Sequence, residues 1–241
     1  MQAAEEKDKV VHFYDQFAEK QEKTGINSRH LSILDKVKQA GLKSNHRILE
    51  VGCGIGTVSH LLASQVPQGK VLAVDISPES IEKAKQLWKK QSNLQFEVSD
   101  MSDFYKKGET FDFFVFPDVL EHIPVAQHAR LFANIQKHAH AESLVFVHIP
   151  APRYLEWMIA HQPEKLQVID QALDTATLVA TLNQAGFYLD KMETYALFFE
   201  EKDYQYFVFR AKKPVQESTS RSKWAVGKER LRIRLKYGIS S

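Results

Sequence analysis

The sequence has a single cysteine, little net charge and no long apolar run. Cys53 alone excludes an intrachain disulfide, so the fold cannot depend on an oxidising compartment, and a cytoplasmic location fits best. The first ten residues, MQAAEEKDKV, lack the apolar segment of a secretory signal. No later stretch reaches the roughly 18 apolar residues that span a bilayer. We therefore expect no membrane insertion.

Charge and metal-ligand patterns exclude further classes. The formal net charge of +2 does not indicate nucleic acid, although nine Lys or Arg against two acidic residues follow from Lys212 to the end. A solvent-exposed charged segment is the simpler interpretation of this tail, and binding to RNA or to an anionic surface stays open. The ten histidines show no H-E-x-x-H or comparable spacing, and one cysteine cannot build a thiolate cluster. The chemistry is expected to be metal-independent.

What is present is an alternation of apolar runs and helical patterns. With 241 residues, 44% of them hydrophobic, the chain can bury the core of one substantial α/β domain. Helical periodicity predicts two helices within residues 5–40, then helices over 56–64, 78–90, 124–138 and 174–185. Strands are predicted at 47–51, 70–75, 94–98, 111–116, 143–149, 188–195 and 204–211.

This alternation predicts a Rossmann-like α/β fold, with a mainly parallel seven-stranded sheet and helices on both faces. The last two strands are joined by residues 196–203, too few for a crossover helix, so that pair should be antiparallel. We divide the chain into an N-terminal helical lid at 1–42, a core at 43–211 with a substrate-binding insertion around 151–173, and a basic tail at 212–241. Within the tail, 214–223 reads as a linker, and the residues after it as a short basic amphipathic element.

A glycine-rich turn follows the first strand in ILEVGCGIGT, residues 48–57. Gly52, Gly54 and Gly56 supply little side-chain bulk, so backbone amides and a helix N-terminus can approach a nucleotide-like ligand. Taken alone, such a turn fits simple tight packing equally well. The dinucleotide fingerprint G-x-G-x-x-G would need glycine at position 57, where the chain has Thr57.

The observed pattern, E-x-G-x-G-x-G from Glu50 to Gly56, resembles motif I of class I S-adenosylmethionine-dependent methyltransferases. The ubiquinone-biosynthesis type of this superfamily is also similar at FDFFVFPDVLEHIP, residues 111–124, where D-x-L-E-H follows the fourth strand. Phe116 and Pro117 depart from the small residues usual there, which leaves the pocket shape open. The resemblance implies S-adenosylmethionine as cofactor, bound in part by Glu50, Gly52, Cys53, Gly54, Gly56 and Pro117.

Two further strand ends are expected to hold the nucleoside. Asp75 closes the second strand, where a carboxylate can accept hydrogen bonds from both ribose hydroxyls; capping of the next helix is the alternative. Asp100 and Met101 follow the third strand, and the resemblance implies that the acid binds the adenine amino group while its neighbour lines the ring. Ile76 would cover the other face of adenine. An ordinary polar loop is the alternative for the third strand end.

Methyl transfer from a sulfonium is an in-line displacement, so near-attack positioning can supply much of the acceleration. A base would help to deprotonate the acceptor. His122 is the first candidate because it lies at the carboxyl edge of the sheet, and His148 is the second. Capping of the next helix by His122, and a structural hydrogen-bonded role for His148, remain open alternatives.

The acceptor site is expected outside the nucleotide half. Arg153, Tyr154, Trp157 and His161 follow the fifth strand and suit an aromatic or anionic acceptor, with Asp118 at the same edge. Packing of this helix face against the sheet is the alternative. HFYDQFAEKQ resembles the lid helix of such enzymes, which would let Tyr14 close over the cofactor.

The sequence thus predicts an enzyme that moves a methyl group from S-adenosylmethionine to an oxygen or nitrogen of a small-molecule acceptor. The alternatives are a catalytically silent binding or scaffold protein and an NAD-dependent oxidoreductase, which Thr57 opposes. Nucleic acid is disfavoured as a substrate because FPDV does not resemble the N/D-P-P-Y/F motif of amino-methylating DNA enzymes. A homodimer is left open.

Overall fold

A computed structural model describes residues 22–167, 169–214 and 220–239. Seven strands are present: β1 Arg47–Val51, β2 Lys70–Asp75, β3 Leu94–Val98, β4 Phe111–Pro117, β5 Ala139–Pro150, β6 Phe187–Tyr195 and β7 Tyr204–Ala211. The α-helices that lie wholly within these ranges are α1 Ser28–Gln39, α2 Thr57–Gln65, α3 Pro78–Leu87, α4 Val125–Gln136, α5 Pro152–His161, α6 Thr175–Gln184 and α7 Lys223–Tyr237. Tyr14 lies outside the described residues, so its lid role stays a prediction.

The strands form one sheet in the order β3-β2-β1-β4-β5-β7-β6. β1 to β5 are parallel, and β7 runs antiparallel to both β5 and β6. The predicted fold class is therefore confirmed, including the antiparallel last pair. The chain order reverses between β1 and β4, and the crevice beside the carboxyl ends of those two strands is where open α/β sheets bind ligands.

Helices cover both faces of the sheet because successive strand residues point to opposite sides. On one face, Ile48 of β1 is buried in a cluster with side chains of α1, α2 and α3. On the other, its neighbour Leu49 is buried in a cluster with side chains of α4 and α6. This packing fixes the sheet edge that carries the candidate site.

The C-terminal helix α7 is the element that packs least. No residue of α7 is buried. The run R-L-R-I-R-L-K-Y alternates with a period of two, and a helix of 3.6 residues per turn therefore distributes its apolar side chains over opposite sides. The predicted basic element thus forms a helix, but its apolar side chains do not share one face, so it is not amphipathic as predicted. Across the described ranges, no helix has the length and apolar character needed to cross a bilayer.

Candidate active site

A cavity of about 230 Å³ lies between α1 and the carboxyl ends of β1 and β4. Five residues expected to bind ligands line it: Glu50, Gly52, Cys53, Pro117 and Asp118. The other lining residues come from α1 and the segment before it, and from the turn into α2: Thr24, Asn27, Arg29, His30, Ile33, Ile55, Thr57 and Val58. The cavity therefore joins the glycine-rich turn to an N-terminal helix.

The glycines of this turn are required by close packing. Gly52 has φ 76°, and a Cβ on it would lie 2.2 Å from Cγ2 of Val119. Gly56 has φ 79°, and its Cβ would lie 2.6 Å from the Phe96 ring. Close packing therefore requires these glycines, and Gly52 also lines the cavity, so ligand contact remains a prediction. Burial and the nearby carboxylates raise the pKa of the Cys53 thiol, which stays neutral.

Glu50 places a buried carboxyl group at the cavity wall. Within the described residues neither of its oxygens makes a hydrogen bond of normal geometry, although the residue is 0% exposed. Burial raises the pKa of Glu50 to about 8; nearby Ser59 opposes this shift and Asp75 adds to it. A buried carboxyl group without partners costs free energy, and a cation entering the cavity would relieve that cost.

The end of β2 carries Asp75, which organises the glycine turn. Its Oδ2 accepts a hydrogen bond from the Gly54 amide at 2.8 Å, and Oδ1 accepts one from the Ser77 amide at 2.9 Å. Ser77 caps α3 through its own hydroxyl, which accepts from the Ser80 amide. The alternative of Asp75 as helix cap is therefore not what the structure shows. Ile76 follows it and is half-buried.

The end of β3 lies beside the end of β2, since the Ser99 amide donates to the Asp75 carbonyl at 2.8 Å. Asp100 accepts a hydrogen bond from the Ser102 amide at 2.9 Å. Met101 has φ 61° and is buried. A φ in this region is uncommon outside glycine and marks a constrained turn. Asp100 and Met101 are thus near Asp75, as their predicted roles in nucleoside binding require.

Arg29 is a cation at the cavity that the sequence analysis missed. Its Nη1 lies 3.3 Å from Oδ2 of Asp118, and the guanidinium also lies close to Tyr204. Its side chain is 32% exposed. The adjacent His30 is neutral at pH 7 because burial and Arg29 lower its pKa to about 4. No motif contains Arg29; its one local signal was the Asn27 helix cap that precedes it.

His122 does not have the properties of a base. Its Nδ1 lies 2.6 Å from the Ile169 carbonyl and 3.2 Å from Oδ1 of Asp170. Burial alone would lower its pKa, but Glu121 and Asp170 raise the pKa of His122 to about 9. A histidine with that pKa is already protonated at pH 7 and cannot accept a proton. The geometry therefore argues against the predicted base role. The capping alternative is not seen either, because no side-chain hydrogen bond among the described residues caps α4, and His122 instead contacts Ile169 and Asp170.

His148 lies at the end of β5 with both ring nitrogens in hydrogen bonds. Nδ1 is 2.5 Å from Oδ1 of Asp118, and Nε2 is 2.6 Å from the hydroxyl of Tyr195. Its side chain is fully buried, and its ring stacks on Tyr204 at 4.9 Å. A base needs a nitrogen that can reach the acceptor, so this geometry favours the structural alternative for His148.

The predicted acceptor residues of α5 form an exposed aromatic cluster. The Trp157 ring stacks on His161 at 5.0 Å and on Tyr154 at 6.4 Å. Tyr154 also contacts Phe199 of the β6–β7 loop at 5.0 Å, a residue that sequence reasoning missed. Arg153 is exposed beside them. These residues lie at the same edge of the sheet as the cavity, because β5 and β6 both end there.

No trio of histidine, cysteine, aspartate or glutamate side chains in the described part of the chain is arranged to hold a metal ion. The expectation of metal-independent chemistry remains a prediction.

Comparisons with known proteins match this site to one class. Residues 48–141 match a family described as a methyltransferase domain. The chain is 33% identical over 91 residues to malonyl-acyl-carrier protein O-methyltransferase 1 of Ilyobacter polytropus, covering 38% of this chain and 31% of that protein. It is 38% identical over 69 residues to the release factor glutamine methyltransferase of Koribacter versatilis, covering 28% and 25%. The chain thus spans about a third or less of the length of these relatives.

Among solved structures, the chain is similar to magnesium protoporphyrin IX methyltransferase from Synechocystis, a structure with bound S-adenosylhomocysteine. The TM-score is 0.60 at 18% identity, with 76% of this chain and 82% of the other covered. At this identity the likeness shows a shared fold. The family match over residues 48–141, by contrast, is a similarity in sequence to a methyltransferase domain.

Proposed function

Because the chain belongs to the class I S-adenosylmethionine-dependent methyltransferase superfamily, we propose that it transfers a methyl group from S-adenosylmethionine to an oxygen or nitrogen of a small-molecule acceptor. The observation that carries this proposal is the cavity at the end of β1, where the buried Glu50 carboxyl lacks a hydrogen-bond partner among the described residues. The relatives are named as O-methyltransferase and glutamine methyltransferase, which supports oxygen or nitrogen as the acceptor atom.

The residues around the cavity fit the donor. Its amino-acid end carries an ammonium and a carboxylate, and the cavity offers complementary groups in the Glu50 carboxyl and in the guanidinium of Arg29, which also pairs with Asp118. We assign the ammonium to Glu50 and the carboxylate to Arg29. Asp75 at the end of β2 is assigned to the ribose, and Ile76, Asp100 and Met101 to the adenine.

The bound donor supplies an electrophilic methyl group on a sulfonium. The chain's contribution is to hold donor and acceptor in near-attack geometry and to exclude water. Both histidines first considered as bases are engaged elsewhere, so we assign the chain no general base from this pair. The acceleration then comes mainly from positioning.

We assign the acceptor site to α5 and the β6–β7 loop. The stacked rings of Tyr154 and Trp157, with the tilted ring of Phe199 against Tyr154, provide an apolar platform, and Arg153 is exposed at its side. Exposed apolar patches of this kind mark binding sites for ligands or partners. An acceptor with a planar or apolar body and an anionic group would match both features.

Two measurements test the proposal. Calorimetry with S-adenosylhomocysteine and, separately, with NAD should show binding of the first and none of the second. Turnover should then be followed as S-adenosylhomocysteine formation over a panel of aromatic and carboxylate acceptors. A folded protein that binds neither S-adenosylmethionine nor its demethylated product would refute the proposal. Binding with no turnover on any acceptor would favour a silent scaffold.

The Asp75→Ala variant checks the nucleoside assignment. Loss of a carboxylate that accepts hydrogen bonds should weaken S-adenosylhomocysteine binding by about 1–3 kcal/mol. The same change removes the acceptor of the Gly54 amide, so thermal stability should fall too. Affinity equal to that of the unchanged protein would remove Asp75 from the site.

A further inference from the structure

Helix α1 meets the sheet edge at two polar points on one of its faces. Arg29 and Ser32 are three residues apart, so their side chains are neighbours on the helix surface. Arg29 Nη1 lies 3.3 Å from Oδ2 of Asp118, after β4. The Ser32 hydroxyl donates to the hydroxyl oxygen of Tyr195, at the end of β6, at 2.9 Å.

A chain of buried hydrogen bonds joins these two points beneath the helix. The Tyr195 hydroxyl lies 2.6 Å from Nε2 of His148, and Nδ1 of His148 lies 2.5 Å from Oδ1 of Asp118. The His148 side chain is fully buried, and that of Asp118 is 7% exposed. Ser32, Tyr195, His148, Asp118 and Arg29 therefore form a connected series of polar contacts, here called the circuit, that begins and ends on α1.

The donors in this circuit all point towards Asp118. The Tyr195 oxygen accepts from Ser32, so its own O–H is free to donate to His148 Nε2. Burial raises the pKa of Tyr195 to about 12, although Ser32 opposes the shift, so this proton is retained at neutral pH. With Nε2 accepting, the ring proton of His148 sits on Nδ1 and is donated to Asp118. Hydrogen bonds aligned in this way strengthen one another.

Asp118 is held in a fixed place and charge state by these contacts. Its φ of 54° lies in the left-handed region that non-glycine residues seldom adopt, and its amide donates to the His148 carbonyl at 2.8 Å. Burial alone would raise its pKa, but His148 and Arg29 keep the pKa of Asp118 below the usual value. An anion fixed at this spot determines where the guanidinium of Arg29 stands in the cavity.

We propose that Ser32, Tyr195 and His148 are positioning residues that act through Asp118 to place Arg29 for the carboxylate of the donor's amino-acid end. This inference rests on the proposed function, which assigns that carboxylate to Arg29. It makes α1, which lies outside the matched domain, part of the donor site.

The test compares two ligands that differ at the amino-acid end. S-adenosylhomocysteine carries the carboxylate, and 5′-methylthioadenosine keeps the nucleoside and sulfur without it. Tyr195→Phe and Ser32→Ala each remove one hydroxyl from the circuit. Each should weaken S-adenosylhomocysteine binding about 5- to 20-fold, as expected for one disrupted polar link, and leave 5′-methylthioadenosine binding unchanged. Calorimetry measures both affinities.

Conservative and matched variants separate positioning from loss of structure. Ser32→Thr keeps the hydroxyl and should restore most of the affinity. Tyr188→Phe removes a hydroxyl from an exposed tyrosine of the same strand and should change neither affinity. Equal weakening of both ligands by Tyr195→Phe and Ser32→Ala would overturn the inference, because it would show a general structural defect. Unchanged S-adenosylhomocysteine affinity in both variants would overturn it as well.

Arg29→Gln distinguishes failure of this inference from failure of the proposed function. Loss of S-adenosylhomocysteine affinity in Arg29→Gln with none in Tyr195→Phe would reject the circuit and keep the carboxylate assignment. No effect in Arg29→Gln would reject that assignment itself. If the circuit acts through Arg29, the double variant Arg29→Gln/Tyr195→Phe should bind no more weakly than Arg29→Gln alone.

Discussion

Glu50 is a carboxyl group that folding buries and that a bound cation would stabilise. With a pKa of about 8 it is mostly protonated at pH 7 when the cavity holds no cation. An ammonium placed beside it would favour the charged form and lower this pKa. Its position at the end of β1 and at the cavity wall therefore links donor binding to loss of a proton.

Replacing Glu50 by Gln tests this link. The variant keeps the side-chain shape but cannot become an anion, so its affinity for S-adenosylhomocysteine should fall about 10- to 100-fold. Calorimetry at pH 7 in buffers of different ionisation enthalpy should show close to one proton released on binding by the unchanged protein, and none by the variant.

The control for this variant is Glu201→Gln, at an exposed carboxylate in the β6–β7 loop. It should bind and release protons like the unchanged protein. Glu50→Gln binding with full affinity, or with the same proton release, would show that Glu50 does not face the ammonium.

At the scale of whole elements, the strands of the sheet were predictable and the contribution of α1 was not. β1, β2, β3 and β7 have the predicted bounds, because buried strands leave short apolar runs in the sequence and the edge strand β3 alternates apolar and polar residues. β5 begins four residues earlier than predicted, since its polar start, Ala139 to Glu142, carries no apolar signal. Arg29 reaches the cavity through tertiary packing of α1, and no local pattern encodes that contact.

The aromatic cluster of α5 gives a prediction for the acceptor. Trp157→Ala removes the ring that stacks on Tyr154 and His161 and should raise KM for the acceptor about 3- to 10-fold with kcat little changed. Steady-state kinetics with the acceptor found in the panel measure both constants. Trp224→Ala in α7 is the matched control and should change neither. An unchanged KM in Trp157→Ala would place the acceptor elsewhere.

Helix α7 gives a second prediction, on stability. None of its residues is buried, so a chain ending after Pro214 should melt within about 2 °C of the full chain. Thermal unfolding followed by circular dichroism measures this. As a contrast, Leu182→Ala in α6 empties a fully buried position and should cost about 2–5 kcal/mol. A large loss of stability on truncation would show that α7 packs against the rest of the molecule.

On the scale of the whole molecule, two buried groups hold their protons more tightly in the folded state than in the unfolded chain. Burial raises the pKa of Glu50 to about 8, with smaller effects of its neighbours. For His122, burial acts in the opposite direction, but the carboxylates of Glu121 and Asp170 raise its pKa to about 9. Both groups lie near the carboxyl edge of the sheet, so the ionisation of this edge affects the stability of the fold.

The sign of the resulting pH dependence follows from linkage. The stabilisation from a raised histidine pKa is complete below the unfolded value of 6.5 and is lost as pH rises through about 9. The stabilisation from the raised pKa of Glu50 is complete below pH 4.5 and is lost as pH rises through about 8. The melting temperature should therefore fall by about 5–10 °C between pH 7 and pH 9.5, measured by calorimetry at constant ionic strength. Glu50→Gln removes one of the two contributions, so the fall in its melting temperature should be smaller by about 2–4 °C. A melting temperature that is constant or rises over this range would contradict the protonated state assigned to the buried edge.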